Sequence, residues 1–420
     1  MFRGIYVCFN CSKIGFRDGC RKVVGVDGCH LRGSFGGVML TAVGIDANDC
    51  IYPIAYAVVE KENTASWRWF LTYLSEDISI GDGRGWTLMT DRQKGLQNVT
   101  DELFPAAEHR FCVRHMYTNF FNAGFKSKIL KNYLWRAAKS TTVADYQHWM
   151  QQIRQLSEEA HKWLTERHPQ EWSRSHFSDQ SKSDILLNNL CEVFNKTLRS
   201  DREKMILSML TSLQQTFMNR IQKRREKMMR CTGRLCPKIK KKLLKNAEKS
   251  RECTLHFSGG PEWQVECSFG TYVVDLHERT CACREWELTG IPCMHAVAVI
   301  RDCRNDPEDY VHNCYTIESY MRCYNSIMHP INGMHLWPQL DMLDITPPSW
   351  VIPRKGKRQI NRRKGADEDV IVHSQEKNYL RRKGRLKMTC SVCGEQGHNK
   401  RYHSRPDAPD SVSMILLFVR

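Results

Sequence analysis

The sequence predicts an α/β chain: a mixed β-sheet with helices on its faces, interrupted by an all-α insertion at about 116–180 and followed by a small zinc module. Three observations predict it. Residues 23–60 hold three runs rich in β-branched and aromatic residues, VVGVDGCHL, VMLTAVGID and IYPIAYAVVE, punctuated by Gly or Asn/Asp pairs, and strands then alternate with helices. From 116 to 179 the pattern turns helical and aromatic, with Trp135, Trp149, Trp163 and Trp172 spaced along it. Beyond it, Cys281-x-Cys283-x9-Cys293-x-His295 puts four metal-ligand side chains on one short segment.

The first 22 residues read as an N-terminal remnant, and their Cys8-x2-Cys11 lacks a second pair, which makes it a chance thiol pair. The three runs of 23–60 form a meander of antiparallel hairpins. A helix follows because Trp67, Phe70, Leu71 and Leu74 recur at helical spacing, with Thr64 or Ser66 to cap it. WTLMTD reads as a fourth strand ending at Asp91, then comes a short helix before Pro105 and a fifth strand around HRFCV. After the insertion, Leu187, Leu190, Cys191, Phe194 and Leu198 mark an amphipathic helix whose other face carries a polar stripe of Asn188, Glu192, Asn195 and Arg199. The sheet domain is thus expected over 23–206, a basic helical segment over 207–252 and the zinc module, entered by a β-hairpin pattern, over 253–303. A helical and linker stretch (304–350), a basic disordered tail (351–389), a knuckle-like motif (390–403) and a last tail (404–420) complete the chain.

The net charge of +17 is concentrated. Residues 220–251 carry 14 Lys/Arg against 2 acids and residues 351–387 carry 13 against 4, so these windows contribute +12 and +9 and leave the remainder of the chain slightly acidic. The first window reads equally as a solvated helix face or a phosphate-binding one. The second, with Arg354-Lys355-Gly356-Lys357-Arg358 and Arg381-Arg382-Lys383, reads as a nuclear import signal or a nucleic-acid tail, which gives a nuclear protein with DNA as partner. No apolar run is long enough for a membrane span, so no membrane partner is expected, and the 19 cysteines read as reduced thiols and metal ligands.

Cys281, Cys283, Cys293 and His295 suit tetrahedral Zn²⁺, and Gly290 and Pro292 bend the chain between the two halves of the set. The arrangement, with Trp286 and the Gly290-Ile291-Pro292 lead-in, resembles the SWIM zinc finger, which implies nucleic-acid or protein binding and not catalysis at zinc. Cys390-x2-Cys393-x4-His398-x4-His403 has the spacing of a CCHC zinc knuckle with His403 in place of the last Cys, so a weaker zinc site is expected at Cys390, Cys393, His398 and His403.

Asp27 within the first strand, Asp91 at the end of the fourth and Glu192 on the polar stripe are placed as phosphoryl-transfer chemistry places metal-binding acids, although Asp46 ends a strand equally well. From about 15 to 300 the chain resembles a plant Mutator-like transposase, through GCRKVVGVDGCHLRG, LTAVGIDANDCIYPIAYAVVEKENTASWRWFL, MTDRQKGL, FPAAEHRFCVRHMYTNF, LLNNLCEVFN and CACREWELTGIPCMHAV. The resemblance implies an RNase H-like fold with a catalytic D-D-E triad mapped to Asp27, Asp91 and Glu192, a Mg²⁺ or Mn²⁺ requirement, and a Cys-x2-His signature beside the site at Cys112 and His115. It also implies cleavage and transfer of DNA at terminal inverted repeats, and allows for a homo-oligomer. Such transposases carry an N-terminal DNA-binding region, so a start close to the catalytic domain is expected to mark either a truncated copy or a protein that relies on its basic segments and zinc modules for DNA. The alternative is a domesticated, non-catalytic transcription regulator of the far-red-response type; inverted repeats flanking the gene would favour the mobile element, and their absence the regulator.

Overall fold

The β-branched runs and their Gly or Asn/Asp turns fold into a six-stranded sheet in the chain's computed structural model, which describes residues 3–33, 36–91, 94–338, 390, 392 and 393. In chain order its first half comprises β1 (Gly4–Cys8), α1 (Asn10–Gly19), β2 (Val23–His30), β3 (Val38–Ile45), β4 (Ile51–Val59), α2 (Thr64–Ile78), β5 (Thr87–Thr90), α3 (Lys94–Leu103) and β6 (Glu108–Phe111). The sheet order is β1-β4-β3-β2-β5-β6: the strands β1, β4, β3 and β2 are antiparallel, and β5 and β6 run parallel to β2. A mixed sheet was the expectation, and it forms.

β3 is buried along its whole length, because both faces of the sheet are covered. Val38, Leu40 and Ala42 point to one core, with Trp67, Phe70, Leu71 and Leu74 of α2. Met39 and Val43 point to the other, with residues 191–217. That alternation is the period-2 geometry of a strand read out in packing. Pro53 sits where the β3–β4 register shifts; proline has no N–H for the ladder, so an irregularity is where a buried strand tolerates it.

The segment expected as a remnant forms the edge strand β1, paired from Gly4↔Val59 to Cys8↔Ala55, and α1. Cys8 and Cys11 face different cores, Cys8 donating to the Ile54 carbonyl at 3.6 Å. The α2 cap also departs from the sequence reading: the Asn63 side chain accepts the Ser66 N–H at 2.9 Å, so the cap precedes both Thr64 and Ser66.

The helical insertion forms α4 (Val113–Asn122), α5 (Lys128–Lys139), α6 (Val143–Leu156) and α7 (Glu158–Thr165), closed on Phe120, Leu134, Ile153, Leu164 and the fully buried Trp172. Then come α8 (Asn189–Thr197), α9 (Ile206–Met229) and α10 (Pro237–Lys249). The zinc module has an antiparallel sheet of β7 (Thr254–Phe257), β8 (Glu262–Cys267), β9 (Gly270–Asp275) and β10 (Thr280–Cys281) with α11 (Glu285–Thr289) and α12 (Met294–Asp302), and α13 (Ile317–Tyr324) returns to pack on α1.

The basic window of residues 220–251 is only partly a free surface. Arg220 donates to the Ile51 carbonyl at 2.8 Å, Arg224 pairs with Asp46 at 2.7 Å, and Lys238 donates to the Asp49 carbonyl at 3.1 Å. Asp49 is held by Arg21 and Lys242, which outweigh the burial that would raise its pKa and bring it down to about 2. Asp46, the acid that a strand-end argument could equally have taken as catalytic, is structural as well. Buried Asp46 accepts the backbone N–H groups of Asn48 and Cys50 as well as Arg224 and the Tyr324 hydroxyl. Asp46→Ala strands the Arg224 charge in a half-buried setting, and an increase of about 3–5 kcal/mol in the cost of folding is expected in urea titrations.

Candidate functional site

Burial falls away along β2, from fully buried Val23 to exposed His30, so Asp27 lies where the strand leaves the core. β2 and β5 are parallel, with Val23 opposite Thr87 and Gly25 opposite Met89; two residues on, that register sets Asp27 beside Asp91. Helix α8 crosses this end of the sheet. Its approach is close at Gly25, where a Cβ would lie 3.0 Å from both Asn188 Oδ1 and Cys191 Sγ, and Asn188 anchors it by donating to the Val26 carbonyl at 3.1 Å.

The three acids named from the sequence come together around α4. Asp91 Oδ1 meets His115 Nδ1 at 2.8 Å, Glu192 Oε1 lies 3.9 Å from His115 Nε2, and Arg114 donates to Glu192 Oε2 at 2.8 Å. Asp27 Oδ2 accepts from Asn195 Nδ2 at 2.7 Å. Burial, and next the charge of Asp91, push the Asp27 carboxyl up to about 7; Glu62 adds to the rise, while Asn195 and His115 oppose it. The hydrogen bond to Asp91, followed by that to Cys112, raises the His115 imidazole to about 10, so it is a cation at neutral pH. Cys112 is buried at the N-terminus of α4, and the Cys-x2-His spacing turns it and His115 to one side, with Asp91 within 4.8 Å. The short Asp91–His115 contact is that of a hydrogen bond, tighter than the roughly 3.3 Å that two N/O ligands of one tetrahedral zinc keep.

Two further residues belong to this site. Asn195, seen in the sequence only as part of a polar stripe, fixes Asp27 and shares a 3.2 Å hydrogen bond with Thr41. Glu62 was missed altogether: its carboxylate packs against Gly28, one residue from Asp27, and accepts from Trp67 Nε1 at 3.3 Å. An acid just ahead of a helix cap carries no sequence signal that separates it from a solvated one.

The second site is the cysteine and histidine cluster. Cys281 ends β10, Cys283 lies in the following turn, and Cys293 caps α12, which carries His295 in its first turn. Gly290 closes α11 at φ +72°, a conformation glycine adopts without strain, and so returns the chain toward Cys293. All four residues are buried and their ligand atoms lie within 4.8 Å of one another. His295 Nδ1 is 3.6 Å from Cys281 Sγ and 3.7 Å from Cys293 Sγ. Zn–S bonds of about 2.3 Å and Zn–N bonds of about 2.0–2.1 Å at the tetrahedral angle require roughly 3.6 Å, so the donor set fits zinc. Electrostatics point the same way. Hydrogen bonds from Cys281 and Cys293 push the Cys283 thiol down, whereas burial holds Cys293 up; three thiolates this close need a cation to ionise together. The module is tied to the helical insertion by Arg284, which donates to the Ser175 and Phe177 carbonyls.

Of the knuckle-like motif, Cys390 is buried, with the Val392 N–H on its sulfur at 3.5 Å, and Cys393 is exposed; His398 and His403 lie outside the described residues. So do Arg381, Arg382 and Lys383 and the basic tail. Among the described residues no helix is long and apolar enough to cross a membrane.

Residues 23–119 match the family model of the MULE transposase domain, and residues 272–304 match that of the SWIM zinc finger. The first span contains Asp27, Asp91, Cys112 and His115 but stops short of Glu192; the second contains all four cysteine and histidine ligands. No match was found among curated proteins.

Proposed function

We propose that the chain is a Mutator-like transposase, or a derivative of one, that acts on DNA in the nucleus. Its sheet domain would be RNase H-like, with Asp27, Asp91 and Glu192 as the acids that hold two Mg²⁺ or Mn²⁺ ions. The convergence of these acids on one end of the β2–β5 pair carries the reading. The strand order β4-β3-β2-β5-β6, antiparallel and then parallel about β2, supports the fold assignment. Held by these acids, such ions would supply activation of the attacking water or hydroxyl and charge neutralisation at the leaving oxygen. The chain's own residues do the rest. Asn195 holds one oxygen of Asp27 by a hydrogen bond, while Arg114 and His115 balance the charge of Glu192 and Asp91. Cys281, Cys283, Cys293 and His295 would hold a zinc ion that organises the SWIM module, which, with the basic segments, would add DNA contacts.

The test supplies the chain with Mg²⁺ and inverted-repeat DNA, together with the N-terminal region of a related transposase where binding requires it. Glu192→Gln removes a metal-binding charge but none of the basic residues. DNA binding is expected to persist while strand cleavage falls by about a thousandfold or more. If the wild type cleaves no better than Glu192→Gln while both bind DNA, the enzyme reading gives way to the regulator.

A further inference from the structure

A histidine ligand must present a bare ring nitrogen to its metal, and a neutral imidazole carries one proton that can sit on either nitrogen. In this chain Nδ1 of His295 faces Cys281 and Cys293. The opposite nitrogen, Nε2, lies 3.6 Å from the sulfur of Cys267. Cys267 closes β8 and pairs with Gly270, the first residue of β9, and its thiol donates to the Gly270 carbonyl at 3.4 Å. A thiol that gives its proton to that carbonyl is free to offer its sulfur lone pairs to Nε2. The Tyr272 ring lies against the imidazole, with centroids 4.2 Å apart and planes inclined by 23°, and fixes the plane in which the nitrogens point.

We infer that Cys267 is a positioning residue for zinc: by accepting the Nε2 proton of His295 it holds the imidazole in the tautomer whose Nδ1 is free for the metal. The inference rests on zinc at the four-residue site. Cys267 is not a fifth ligand, because it meets the imidazole at Nε2, on the side opposite the two sulfurs that face Nδ1. It lies outside the span that matches the SWIM family model. The sequence gives it no metal-ligand spacing, and only the β8–β9 turn delivers it. Partners of this kind, which orient a ligand without touching the metal, carry a large share of affinity in zinc sites.

The experiment is competitive Zn²⁺ titration and Co²⁺ spectroscopy on the full chain carrying Cys390→Ser and Cys393→Ser, so that the knuckle-like motif does not contribute. Cys267→Val, similar in size but without an acceptor, is expected to weaken binding about tenfold to a hundredfold. Cys267→Ser, which can accept the same proton, is expected to stay within roughly threefold of the parent. In both, the sulfur-to-cobalt charge-transfer band should keep the intensity of three thiolates. Cys281→Ala should lose a thiolate's share of that band. Equal affinity for the Val variant and the parent, or equal weakening by Val and Ser, overturns the positioning role. Loss of a thiolate's intensity in either Cys267 variant overturns it too, by making Cys267 a ligand. An unchanged affinity and band in Cys281→Ala would instead remove the four-residue zinc site itself, a result separable from any effect at Cys267.

Discussion

Asp27→Asn is expected to abolish Mg²⁺-dependent strand cleavage while making the Mg²⁺-free protein more stable at neutral and higher pH. The two effects share one cause. Burial and the neighbouring Asp91 raise the Asp27 carboxyl from 3.8 to about 7. The folded state thus binds this proton more tightly than the unfolded chain does. The ionised carboxylate carries a penalty that is absent below the unfolded pKa, grows as pH rises from 3.8 toward 7 and is complete above it. Asparagine keeps an oxygen to accept from Asn195 but never carries the charge, so at pH 8 the variant should gain about 1–3 kcal/mol, and the gain should vanish near pH 4. Mg²⁺ reverses the order, because a cation stabilises the wild type by binding its carboxylates and finds a weaker site in the variant. Thermal unfolding at several pH values, in buffer that retains zinc and with Mg²⁺ as the only variable, reads this directly. Destabilisation of Asp27→Asn at pH 8 without Mg²⁺ would overturn the raised carboxyl, and equal stabilisation of both proteins by Mg²⁺ would show that the acids do not form a metal site.

Removing zinc should produce a different, local failure. The small core of the zinc module comprises nine buried residues, Val265, Val274, Cys281, Cys283, Trp286, Cys293, Ala296, Val299 and Ile300, and three of them are ligands. Without the ion those thiols revert to weakly packed, partly repelling groups around a few aliphatic side chains, too little to offset the entropy of ordering the module. Structural zinc contributes on the order of 10 kcal/mol in small modules of this kind. Chelation, or Cys283→Ala, is therefore expected to strip hydrogen-exchange protection from β7–β10 while β2, β3 and β4, buried between two larger cores, keep theirs. Protection throughout the module after complete zinc removal would overturn a structural role for the metal.

The cysteine and histidine cluster was legible in the chain because its signals are local. Cys-x-Cys and Cys-x-His place ligands within a turn or a helix start, so their spacing alone carries the chemistry. The runs at 23–60 alternate as strands do, and they form strands. The D-D-E assignment came through resemblance and not from spacing, since nothing along the chain distinguishes Asp27 or Asp91 from Asp46. Tertiary contact separates them. Asp46 is taken up by Arg224, Tyr324 and two backbone N–H groups, whereas Asp27 faces Asp91 across a parallel strand pair. The same holds for β1, whose strand partner, β4, lies some fifty residues away, and for the basic window, whose charges are partly consumed at the β3–β4 turn.

The sequence by itself determined that the runs at 23–60 are strands, that the stretch from 116 to 179 is helical and which residues could bind zinc, because periodicity and ligand spacing act within a few residues. Only the tertiary structure decided which acids meet, that Asn195 and Glu62 join them, and that Cys267 reaches the far side of His295. Those outcomes depend on strand register, on the angle at which α8 crosses the sheet and on the turn between β8 and β9, which many residues distant in the chain set together.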